Sequence, residues 1–358
     1  MTVAARPGRR RRAWRAPLAL LLIAVVSVAA LSVAACAPRV NAPGPAIARP
    51  ALAADGFLAA DGEKLPLRTW MPEDGAPRAV IIALHGFNDY SNFFTEPGTF
   101  LATEGIATYA YDQRGFGQTR RPGLWSGVGA YADDLKAVTG AVRRRHPGVP
   151  LYLLGESMGA AVIMVAMTGP GAPEVDGIIL SSPAVWGRST MPWYQRLALW
   201  LGAHTVPWMT VTGRGLGIKP SDNIEMLRAL RRDPLVIKET RVDSIYGLVN
   251  LMDAALESAA AFDRAALILY GAHDEIIPKG PTRAMVRHLP PSAGKRQRLA
   301  LYEDGYHMLL RDLQARTVWV DIAAWITDPG APLPSGADER AATTLAKDAT
   351  PAVPPAVP

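Results

Sequence analysis

A serine between two glycines, in the run Gly155-Glu156-Ser157-Met158-Gly159, is the place where this chain could do covalent chemistry. A serine hydroxyl is a weak nucleophile unless a base removes its proton and a third group holds that base. The chain supplies both further along, in Gly271-Ala272-His273-Asp274 and in Glu303-Asp304-Gly305-Tyr306-His307. The order serine, acid, histidine suits acyl transfer: His307 would take the Ser157 proton and pass it to the leaving group, and Asp274 would fix the imidazole tautomer. Glu275 and Asp304 are competing acids, but Asp274 follows a strand directly. The bland alternative for Ser157 is a helix-capping serine in a glycine-rich bend.

A tetrahedral intermediate also needs hydrogen-bond donors for its oxyanion. The run His85-Gly86-Phe87-Asn88 follows an apolar strand, so the backbone N–H groups of Phe87 and Met158 are the expected donors. His85 could be a second base, yet its place beside that loop suits a structural hydrogen bond. His146, His204, His273 and His288 read as surface or structural residues.

These residues need elements to hold them. Short continuous apolar runs occur at Ala79–Leu84, Ala107–Tyr111, Leu151–Leu154, Gly177–Leu180, Ala266–Tyr270 and Arg298–Tyr302. Continuous rather than alternating runs suit strands buried on both faces. Helical patterns such as Trp125–Arg145 and Ser157–Met167 separate them. The pattern predicts an α/β fold: a mostly parallel central sheet, helices on both faces, and right-handed crossovers. Lys64–Met71 reads as an antiparallel edge strand of a hairpin. Ser157 then sits at a strand-to-helix junction, where a sharp turn lifts its oxygen above the sheet and places it near a helix N-terminus.

The stretch from Val185 to Ala261 is longer than a crossover needs. It is helical in pattern and rich in Trp, Leu and Met, and an insertion at that place lies over the crevice at the strands' carboxyl ends. It is the expected lid. Trp193, Leu197, Trp200, Leu201 and Trp208 are its candidate acyl-pocket residues. The competing reading is that the Leu197–Trp200–Leu201 stripe only docks the lid onto the core.

Composition is that of a globular protein: 358 residues, 49% hydrophobic and 20% charged, with a formal net charge of +6. Residues 1–35 carry six arginines and no acid, and the rest has 32 basic and 32 acidic residues. The folded part therefore carries no nucleic-acid signal. Residues 1–35 read as an export signal: a basic run to Arg15, an apolar run from Ala16, then small residues. Val33-Ala34-Ala35-Cys36 resembles a bacterial lipoprotein signal, with Cys36, the chain's one cysteine, as the lipidation site. Ordinary cleavage at Ala35-Cys36-Ala37 and a retained membrane anchor are the alternatives. Each places the domain outside the cytoplasm, and the lipoprotein reading places it in the bacterial cell envelope, facing the periplasm. The expected organisation is a signal over 1–35, a Pro/Ala-rich tether over 36–53, core over 54–184, lid over 185–261, core over 262–328, and a disordered tail over 329–358.

The segments LHGFNDYS, YDQRGFGQT, GESMGAA, SSP, RDPL, GAHDEIIP and YEDGYHMLLRD together resemble the monoacylglycerol lipases and lysophospholipases of the α/β-hydrolase fold, over about Asp55 to Ile326. The resemblance implies Ser157, Asp274 and His307 as a triad, with Phe87 and Met158 forming the oxyanion hole. Ala160 and Phe116 depart from residues common in the family, and Asp112 with Arg114 reads as a structural pair. The expected activity is hydrolysis of carboxylic esters of single-chain lipids at a membrane. The alternatives are a short-chain carboxylesterase, a peptidase or amidase, and a non-catalytic binding module. The sequence carries no metal cluster, phosphate loop or dinucleotide fingerprint, so no cofactor, nucleic acid or protein partner is expected.

Overall fold

Val80, Ile82 and Leu84 face one core layer and Ala79, Ile81 and Ala83 face the other, so one six-residue strand is buried on both sides. The same alternation divides Leu151 and Leu153 from Tyr152 and Leu154. Continuous apolar runs follow from this geometry, because neither face of a central strand meets water. The computed structural model describes residues 37–215, 217–291 and 296–349.

The strands are β1 (Ala51–Ala53), β2 (Gly56–Leu58), β3 (Lys64–Trp70), β4 (Ala79–Leu84), β5 (Ile106–Tyr111), β6 (Leu151–Glu156), β7 (Gly177–Ser181), β8 (Thr210–Val211), β9 (Thr240–Arg241), β10 (Ala266–Gly271) and β11 (Gln297–Tyr302). Nine of them form one sheet in the order β1-β2-β3-β5-β4-β6-β7-β10-β11. From β5 to β11 every pairing is parallel, while β1, β2 and β3 join antiparallel. The helices are α1 (Thr95–Thr103), α2 (Val128–Arg145), α3 (Met158–Thr168), α4 (Trp193–Thr205), α5 (Ile224–Arg232), α6 (Val242–Ser258), α7 (Lys279–His288), α8 (Ala315–Thr327) and α9 (Ala337–Ala349). The core layer with α2, α3, α6 and α7 covers one face of the sheet, and that with α1, α8 and α9 covers the other. After β4 the chain steps to β5 on one side, then to β6 on the other. That reversal opens a crevice at the carboxyl ends of the strands.

Four expectations change. β3 is antiparallel, as predicted, but it is not an edge: it lies between β2 and β5. Residues 37–53 are fastened down rather than a free tether. Asn41 N–H donates to Trp125 O, Ile47 and Ala48 N–H donate to Ala60 O, and β1 pairs with β2. The second half of the expected lid is the β7-to-β10 crossover itself, because α6 buries Val249, Leu251, Met252, Ala255 and Leu256 in the core. Residues beyond 328 are not disordered through 349. Leu333, Ala337 and Ala341 are buried, and Ser335 donates its N–H and hydroxyl to Asp321. Small alanines let α9 lie close against the sheet, so low hydrophobicity there marks a close approach rather than a lack of packing. Residues 1–36, with Cys36, and 350–358 lie outside the described residues. No helix among the described residues is long and apolar enough to cross a membrane.

Candidate active site

Ser157 has φ 54° and ψ −111°, a conformation an L-residue adopts only when its surroundings enforce it. Its N–H donates to Ser181 O, and its own carbonyl accepts from Ala161 and Ala184 N–H. The flanking glycines are required by contact. A Cβ on Gly155 would meet Ala160 N at 2.4 Å, and one on Gly159 would meet Leu84 O at 2.3 Å. Ser157 occupies the N-cap position of α3, yet its hydroxyl caps nothing. The bland reading as a capping serine therefore fails, and the hydroxyl is presented at the carboxyl edge of β6.

Asp274 and His307 come together on the neighbouring loops. His307 Nδ1 lies 2.9 Å from Asp274 Oδ2, and both side chains are buried. Asp274 Oδ1 accepts the N–H groups of Ile276 and Ile277, each at 2.9 Å, which fixes the carboxylate. Nδ1 is thus committed to Asp274, and Nε2 is the nitrogen left to exchange a proton. Neither Glu275 nor Asp304 holds the imidazole; Glu275 instead accepts the N–H of Lys219.

Phe87 follows β4, half-buried, with its ring edge-on to Phe116 at 5.6 Å. The next residue, Asn88, has φ 66°, which turns the chain sharply at the expected oxyanion position. Met158, the other expected donor, is buried in the first turn of α3. His85 is structural: Nδ1–H donates to Gly86 O, and Nε2 accepts the N–H of Gln113. Burial lowers its pKa, which keeps it neutral. Asp112 and Arg114 do not pair. Asp112 accepts the N–H groups of Ser91 and Gln118, while Arg114 is gripped by Asp61 and Asp134. Among the described residues no His/Cys/Asp/Glu group could hold a metal ion.

The lid reaches both sides of the crevice. Ile237 N–H donates to Asn88 O, Tyr90 Oη donates to Asp233, and Met308 N–H donates to Pro220 O. The five lid residues expected to line an acyl pocket are not enclosed. Trp193, Leu197, Trp200, Leu201 and Trp208 are between 45% and 68% exposed and form an apolar outer face, while Met191 and Leu199 pack inward. Sequence periodicity finds the stripe but not which side it turns to. Sequence reasoning also assigned no role to Glu156, Asp89 and Arg311, which meet beneath the site. The one available signal was the charged Arg311-Asp312 pair directly after the apolar run Met308-Leu309-Leu310.

Fold and site together define a lidded α/β-hydrolase of the serine hydrolase class. Residues 75–314 match the hydrolase family described as "Serine aminopeptidase, S33", and the chain belongs to that family. The monoacylglycerol lipase of Mycolicibacterium smegmatis is 26% identical over 289 residues, covering 75% of this chain and 95% of the relative. The mouse monoglyceride lipase is 28% identical over 276 residues, covering 75% and 88%. Among solved structures, a soluble variant of the Saccharomyces cerevisiae monoglyceride lipase superposes with a TM-score of 0.63 at 23% identity, over 81% of this chain and 97% of that one. A carboxyl esterase from Bacillus coagulans gives 0.61 at 19% identity, over 78% and 96%. These likenesses show the fold.

Proposed function

We propose that this protein hydrolyses the carboxylic ester of single-chain lipids of the monoacylglycerol class through an acyl-enzyme on Ser157. The observation that carries the reading is the Asp274–His307 pair at 2.9 Å, on the loops after β10 and β11, at the same sheet edge as a serine held at positive φ. Ser157 Oγ attacks the ester carbonyl while His307 Nε2 accepts its proton. The carbonyl oxygen, now negative, is met by the N–H groups of Phe87 and Met158. Collapse of the tetrahedral intermediate breaks the bond to the leaving alkoxide, which takes the proton back from His307. Water then repeats the sequence on the acyl-enzyme, with His307 as base, and frees the fatty acid. Asp274 orients the ring and stabilises the imidazolium that forms.

The relatives named as monoacylglycerol and monoglyceride lipases support the substrate class, and the apolar lid face supports action at a lipid surface. The N-terminal pattern supports export and lipidation at Cys36, which would hold the domain at a membrane. Peptide hydrolysis is the second reading, favoured by the family description. An aminopeptidase must hold a substrate ammonium with carboxylates. Of the three lid acids that could do so, Glu225 is paired with Arg228 and Asp243 with Arg241, while Glu239 stands exposed and outside both pairs. Turnover of matched esters and aminoacyl amides, from acetyl to oleoyl, by wild type and Ser157→Ala tests both. Long-chain glycerol esters should be preferred. Faster cleavage of the amides, or equal rates on acetyl and oleoyl esters, would overturn the lipid reading.

A further inference from the structure

One buried nitrogen joins three of the four loops that the proposed mechanism uses. Arg311 Nη2 lies 2.8 Å from Glu156 Oε1 and 2.8 Å from Asp89 Oδ2, and all three side chains are almost wholly buried. Glu156 immediately precedes Ser157. Asp89 stands two residues after Phe87, and Arg311 four residues after His307. Serine turn, oxyanion loop and histidine loop therefore meet at a single point under the site.

We propose that Arg311 is a positioning residue that sets the distances among Ser157, the Phe87 N–H and His307. A fold seeking only stability has little reason to keep such a group. Buried ion clusters contribute little net stability compared with apolar packing, because each charge loses its hydration. This one is also incompletely satisfied: Arg311 Nε, Glu156 Oε2 and Asp89 Oδ2 have no hydrogen-bond partner among the described residues, so Asp89 meets Arg311 as an ion pair only. One cation faces two carboxylates, and burial raises the Glu156 pKa against the pull of Arg311. Such a cluster supplies direction instead. Its charges attract along fixed lines, whereas apolar contacts permit sliding. The rest of the loop is anchored to match: Asn223 Nδ2 donates to Arg311 O, and the Arg311 guanidinium lies 5.8 Å over the Phe93 ring.

The inference rests on the Ser157–His307 reading, and the experiment separates the two. Asp89→Asn keeps shape and leaves the Arg311–Glu156 pair, so it loosens only the oxyanion loop. Asp89→Asn/Glu156→Gln/Arg311→Met removes all three charges together and strands none. For both, kcat and KM are measured on a soluble p-nitrophenyl ester, with the rate of Ser157 labelling by a fluorophosphonate and the Tm. The expected result is kcat lower by about tenfold in the single variant and about 100-fold in the triple, with KM within about threefold. Labelling should slow in proportion while the single variant keeps the wild-type Tm. Wild-type kcat and labelling rate in a folded Asp89→Asn would overturn the proposal, as would a loss confined to KM. Failure of the wild type itself to label would instead overturn the Ser157 reading.

Discussion

Ser221 Oγ donates to Asp312 Oδ1 at 2.6 Å, which fastens the lid to the loop that carries His307. The second oxygen of Asp312 accepts the N–H of Tyr306, one residue before the histidine. Burial pushes the Asp312 carboxyl up to about 6 from an ordinary 3.8, against the pull of those two hydrogen bonds. Between those values the folded chain holds a proton that the unfolded chain releases, so this group weakens the fold as pH rises from about 4 to about 7. Asp312→Asn lacks that slope. Thermal melts across this range should show the wild type losing stability relative to Asp312→Asn as pH rises. Parallel curves would refute the assignment.

Strain at Ser157 makes a second prediction. Alanine at this position keeps the unfavourable φ of 54°, while glycine adopts it freely. Both variants should lose ester hydrolysis. Ser157→Gly should nonetheless be more stable than Ser157→Ala by about 1 kcal/mol, the released strain less the entropy of glycine. Urea unfolding of the two variants measures the difference, and its sign decides.

The carboxylate at 274 has two separable tasks. Asp274→Asn keeps an oxygen for the Ile276 and Ile277 N–H groups but presents the wrong partner to His307. It should lower kcat by about 10⁴-fold with little change in Tm. Asp274→Ala should lose both activity and stability. Steady-state kinetics and melting of the pair distinguish the orienting task from the structural one.

Packing of the C-terminal segment predicts a stability effect far from the site. Leu333 is buried beside α9, so Leu333→Ala should cost about 2–4 kcal/mol. Chemical denaturation checks this, and an effect under about 0.5 kcal/mol would place the segment outside the fold.

The outer face of α4 makes a prediction of the opposite kind. Trp193 and Trp200 are exposed, so replacing both with Gln should leave Tm nearly unchanged. Partition onto phospholipid vesicles should fall, together with activity on dispersed long-chain glycerol esters, while a soluble short ester is cleaved as before. Equal loss on both substrates would mean that these residues serve the site itself.

What the sequence determined by itself is what local pattern encodes. Apolar runs of strand length lie between helical periods. Glycines stand where the turn around Ser157 tolerates no side chain. Asp274 and His307 follow strands, and a parallel sheet delivers every such loop to one edge. Those features fix the fold class and bring the three residues to the same rim before any long-range contact is known.

The tertiary structure decided what depends on partners distant in the chain. It buried α6 against α3 and so made half of the expected lid a crossover. It laid residues 337–349 on the sheet, since the close approach that alanine permits is invisible in a hydrophobicity count. It turned the Trp200 stripe outward, a choice periodicity leaves open because both faces of a short helix can be apolar. It also joined Asp89, Glu156 and Arg311, up to 222 residues apart, at one buried nitrogen. The Arg311-Asp312 pair marks a charge in the histidine loop, but no local pattern names its partners, because the geometry comes from where three separate loops end.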